Sequence, residues 1–97
     1  MVRRLIAGIL TRDGYAVVEA EPGRARELLR DKAEDTALLV TDAPEFFLDY
    51  AQHVALVYLG TFPEAQWAEK FPRCRFLSKP FPPERLLALT HELLDAV

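Results

Sequence analysis

Asp42 closes the apolar run Leu38-Leu39-Val40-Thr41, and Lys79 follows a second short run, Arg75-Phe76-Leu77-Ser78. A carboxylate and an ammonium delivered from two strand ends can bind or transfer a charged group. Thr61 follows Gly60 at the end of a third apolar run and offers a hydroxyl, although a plain turn residue is the better reading. Cys74 lies between Arg73 and Arg75, and flanking guanidinium groups favour a reactive thiolate. A single cysteine without a base partner is nevertheless inert in most proteins. His91 falls in a helical stretch and His53 just ahead of a strand, and both read as surface residues. The sequence holds no Gly-rich phosphate loop, nucleophile–base pair or metal-ligand cluster.

The chain that positions these groups has 97 residues, 51% of them hydrophobic and 28% charged, with a formal net charge of −3. Domains run at about 100–150 residues, so a single domain over residues 1–97 is expected. The composition excludes disorder, and one cysteine excludes a disulfide framework. A slightly acidic balance gives no general pull toward nucleic acid. No apolar run approaches the ~20 residues that cross a bilayer. The expectation is a soluble, cytoplasmic protein.

Hydrophobic residues Val2, Leu5, Ile6, Ile9 and Leu10 recur at helical spacing and predict a first helix that stops at Asp13-Gly14. The rival reading is a hairpin that pairs Leu5–Leu10 with Tyr15–Ala20 around the Asp-Gly turn. Tyr15–Ala20 itself reads as a strand. Pro22-Gly23 opens a helix with Ala25, Leu28, Leu29 and Ala33 inside. Thr36–Val40, Val54–Leu59 and Arg75–Leu77 read as further strands. The first two are continuous apolar runs, the pattern of strands buried on both faces. Helical pieces are expected over Glu45–Tyr50 and Pro63–Lys70, the latter packing through Ala65, Trp67, Ala68 and Phe71. Pro82-Pro83 starts a last helix through Val97, with Leu86, Leu89, Leu93 and Val97 as its inner stripe.

Alternation of helices and strands predicts right-handed crossovers and a parallel sheet of four strands covered on both faces. In such sheets functional groups gather at the carboxyl ends of the strands. That rule selects Asp42, Gly60-Thr61 and Ser78-Lys79-Pro80.

Asp42 with nearby Pro44, a hydrophobic strand ending in small residues, and Phe76-Leu77-Ser78-Lys79-Pro80-Phe81 together resemble the receiver domain of two-component response regulators. The stretch from Val2 through Val17 resembles that family's first helix and second strand, so the likeness covers nearly the whole chain. The resemblance implies a flavodoxin-like, three-layer α/β/α fold, incomplete at its N-terminus. It also implies phosphoryl transfer from a phosphohistidine to an aspartate, assisted by Mg2+, with a histidine kinase or another signalling protein as partner. Asp42 matches the phosphoacceptor position and the lone metal carboxylate. Lys79 matches the phosphate-pairing lysine, Pro80 the cis-peptide proline, and Phe76 the aromatic residue that switches rotamer.

Three departures shape the expectation. The chain starts after the family's first strand, whose end carries the acidic pair that holds the metal. Gly60 stands where the family places a hydroxyl, with Thr61 one residue along. The loop after Asp42 is shortened to Ala43-Pro44. The expected function is therefore that of a degenerate receiver, a pseudo-receiver that acts through protein–protein contacts and is not an enzyme. The alternatives are a phosphorylation-competent receiver truncated at its N-terminus and a small α/β enzyme using Asp42 and Lys79. Without the family's central strand an apolar sheet edge is exposed, so a homodimer through that edge is expected.

Overall fold

Gly14 decides the first question. The computed structural model of the protein describes residues 2–94, and in it Gly14 takes φ +97°, the left-handed region where a β-carbon is unfavourable. The Tyr15 amide donates to the Leu10 carbonyl (3.1 Å) and the Gly14 amide to that of Thr11 (3.0 Å). These are the two bonds that close a helix on a glycine. Asp13-Gly14 is thus the stop of α1 (Val2–Arg12), not the turn of a hairpin. Ile6, Ala7, Ile9 and Leu10 are buried. Leu5, expected on the inner face, is 55% exposed, because it lies about 100° around the helix from Ile6.

The expected strand at Tyr15–Ala20 does not form. Tyr15 and Val17 do pack against the core while Val18 is 76% exposed, so burial alternates as it would on a strand. A strand also needs a hydrogen-bonded neighbour, and no described strand pairs with this segment. Among the described residues the sheet has three strands, not four. They are β1 (Leu38–Thr41), β2 (Ala55–Gly60) and β3 (Cys74–Ser78), parallel and in that spatial order. Thr41 pairs with Tyr58, Tyr58 with Phe76, and Gly60 with Ser78.

Prolines open two of the helices, where a missing amide hydrogen costs nothing. These are α2 (Pro22–Lys32) and α4 (Pro83–Leu94), separated in the chain by the short α3 (Ala65–Lys70). The stretch expected to be helical after Asp42 is a 3-10 segment, Pro44–Tyr50, broken at Phe47 (φ −122°). Phe47 leaves helical geometry and is only 2% exposed. Val97, expected on the inner stripe of the last helix, and the side chain of Val2 lie outside the described residues.

The central strand shows why the sheet is covered on both faces. Ala55, Val57 and Leu59 enter one cluster with α1 and α4 residues, including Ile6, Ile9, Leu86, Leu89 and Leu93. Leu56 and Tyr58 enter the other with Leu29, Phe47, Trp67 and Phe71. Three layers result. Fully burying each leucine, isoleucine, valine or phenylalanine among them contributes about 1.5–3 kcal/mol before entropy is subtracted. Two polar ties fix helices over these clusters. Asp13 and His91 meet at 2.7 Å between the end of α1 and α4. Arg26 of α2 donates to the Phe46 carbonyl (2.8 Å), pairs with Asp49, and lies 5.9 Å from the Tyr50 ring centre. Among the described residues no helix is long and apolar enough to cross a membrane.

Candidate functional site

All three strands run the same way, so their carboxyl ends share one edge of the sheet. Asp42 follows β1 directly and Lys79 follows β3, with β2 between them. The two side chains bridge that middle strand: Lys79 Nζ lies 3.8 Å from Asp42 Oδ2. Their side chains are 66% (Asp42) and 38% (Lys79) exposed. An ion pair that open to water contributes about 0–1 kcal/mol, so it does little for stability. It does hold a carboxylate oxygen beside a cation where an anion can reach both.

Backbone geometry aims each member. Thr41 Oγ1 accepts a hydrogen bond from the Ala43 amide (3.0 Å), which folds the turn that carries Asp42. Sequence reasoning passed over Thr41; the signal was there in a hydroxyl two residues ahead of a bonded amide, a common turn device. On the other side the Lys79 amide donates to the Gly60 carbonyl (3.1 Å), which ties the start of the β3 loop to the end of β2. The Lys79–Pro80 peptide is cis.

The remaining sequence candidates are placed less directly. Thr61 is exposed in the bend after β2, and among the described residues its hydroxyl makes no hydrogen bond. Gly60 stands in register with Ser78, an exposed hydroxyl residue at the end of β3. Phe76 is half-buried, with its ring 5.8 Å from that of Tyr58 at 44°, and so serves packing. His53 is exposed, and His91 is engaged by Asp13.

Cys74 is half-buried on β3. Burial pushes its thiol up from the ordinary value, and the opposing pull of Arg75 does not compensate. Strand alternation explains the weak pull. Cys74 faces the cluster of Tyr58 and Trp67, whereas Arg75 points to the opposite face and lies 3.9 Å from Glu92 of α4. The flanking arginines therefore do not make a reactive thiolate.

Tyr58 carries a second polar group near this edge. Its hydroxyl donates to Glu64 Oε2 (2.5 Å), and that bond, then burial, pushes the phenol up from its ordinary value. The Trp67 indole nitrogen is covered and makes no hydrogen bond of normal geometry, although it sits close enough to Tyr58 to oppose that shift slightly.

Among the described residues no three His, Cys, Asp or Glu side chains converge to hold a metal ion. Mg2+ demands near-octahedral oxygen coordination and dehydrates reluctantly. Asp42, already engaged by Lys79, does not fit that demand.

The chain matches no protein-family model, no curated protein and no solved structure.

Proposed function

We propose that this chain is a receiver-like signalling domain of a two-component or phosphorelay system, degenerate in its phosphorylation chemistry and acting through protein–protein contacts. The observation that carries this reading is the Asp42–Lys79 pair, 3.8 Å apart at the carboxyl edge of a parallel sheet. Transfer to Asp42 would form a bond from its carboxylate oxygen to phosphorus as the phosphohistidine P–N bond breaks. Lys79 would neutralise oxygens of the moving group. The other supports of such a transfer are weak here. Among the described residues no further carboxylate or other ligand joins Asp42 in a metal-binding group, and Gly60 brings no hydroxyl to the edge. Losing one comparable donor costs about 3–4 kcal/mol in transition-state stabilisation, and each ~1.4 kcal/mol is tenfold in rate.

Contacts with a partner have a candidate surface in β1. Leu38, Leu39 and Val40 are only half-buried, and β1 pairs with β2 alone among the described strands. An apolar edge strand without lysine or proline favours pairing with another chain.

Incubation with acetyl phosphate and Mg2+, followed by intact mass measurement, tests the reading. The expected result is little or no adduct on the timescale of an active receiver. Rapid formation of an adduct that is absent from Asp42→Asn would overturn the degenerate reading in favour of a phosphorylation-competent receiver.

A further inference from the structure

An open cavity of about 290 Å³ lies between α3 and strands β2 and β3. Tyr58, Trp67 and Phe76 wall it, and Glu64, Pro63, Cys74 and the small side chains of Ala65 and Ala68 complete its lining. Its volume sits at the low end for ligand sites, enough for a headgroup and too small for an extended molecule. The three rings form one aromatic surface. Tyr58 lies 6.2 Å from Trp67 at 54° and 5.8 Å from Phe76 at 44°.

Glu64 is the charged residue of the lining. Glu64 Oε2 accepts from the Tyr58 hydroxyl and Oε1 from the Gln66 amide (3.0 Å), so both oxygens are oriented by neutral donors. Among the described residues Glu64 forms no ion pair with a lysine, arginine or histidine. Glu45 adds negative charge felt at Tyr58. Arg75, which lies between the lining residues Cys74 and Phe76 in sequence, projects to the other face of the sheet toward Glu92. The indole nitrogen of Trp67 is covered, so it gives a guest no donor to bind. What remains is an aromatic surface beside an unpaired carboxylate, which is the complement of an organic cation.

We propose that this cavity binds a small alkylammonium ion, seated against Tyr58, Trp67 and Phe76 with Glu64 as its counter-charge. The inference is independent of the Asp42–Lys79 pair, which lies beyond the strand ends.

Trp67 is the only tryptophan in the chain, so its fluorescence reports on the cavity directly. The full chain is titrated with choline chloride at constant ionic strength. A parallel titration uses the neutral isostere of choline, in which carbon replaces the ammonium nitrogen. Choline is expected to give a saturable change with millimolar affinity, about tenfold tighter than the isostere, the scale of one partly desolvated cation–π contact. Glu64→Gln keeps an acceptor for the Tyr58 hydroxyl and should weaken choline about tenfold while leaving the isostere unchanged. Phe76→Leu should weaken choline several-fold by removing one ring face. Equal binding of choline and its isostere would overturn the proposal, leaving a merely apolar cavity. So would a response matched by sodium chloride, or choline affinity unaltered in a folded Glu64→Gln. The comparison of the two ligands on the unaltered protein decides the matter even where a variant fails to fold.

Discussion

A β-carbon placed on Gly60 would lie 3.1 Å from the hydroxyl oxygen and the adjoining ring carbon of Tyr58. Real β-carbons seldom come so close, and the Tyr58 ring cannot easily retreat. Its hydroxyl is held by Glu64, and Trp67 and Phe76 pack beside it. Glycine at this strand end therefore has a packing reason, quite apart from any chemistry at the edge. The same contact opposes every larger residue, including one that would supply a hydroxyl.

Gly60→Ala is accordingly expected to destabilise the fold by about 1–2 kcal/mol, in the range of modest overpacking. Urea unfolding measures this as a lower midpoint at unchanged slope. In a Tyr58→Leu background the same change should cost distinctly less, since residues in contact do not act additively. Equal costs in the two backgrounds would show that the Tyr58 ring is not the obstacle.

Cys74 should be slow to react. Its thiol is raised in the folded chain, so at neutral pH it carries less thiolate than an ordinary cysteine. Alkylation by iodoacetamide is expected to be slower than for the urea-unfolded chain and to accelerate only above the usual thiol range. The sign for stability follows from the same shift. As pH rises past about 8.5, the unfolded chain loses the Cys74 proton first, and stability falls. A folded-state rate at neutral pH equal to the unfolded one would contradict the burial argument.

The β1 edge should self-associate. Sedimentation velocity over a wide range of concentration is expected to show a reversible shift toward a dimer. A monodisperse monomer at the highest concentration would count against pairing through Leu38–Thr41.

Much of the fold was legible in the residues because the relevant forces are local. Val54–Leu59 is apolar without alternation, a pattern that suits a strand buried on both faces, and β2 (Ala55–Gly60) is such a strand. Pro22, Pro83 and Gly14 mark helix ends through backbone restrictions that do not depend on distant partners. The carboxyl-edge rule also singled out Asp42 and Lys79 before any distance was known. Other features depended on partners remote in sequence. Tyr15–Ala20 has the composition of a strand, but none of the described strands pairs with it, so it stays outside the sheet. Leu5 has the spacing of a core residue yet faces away from α4 and the sheet. Arg73-Cys74-Arg75 suggests an activated thiol, but alternation on β3 turns the thiol inward and Arg75 outward, and desolvation prevails. Residue type and spacing determine what a segment favours by itself. Which neighbour it meets, and whether water reaches it, is decided only when strands from across the chain share one sheet.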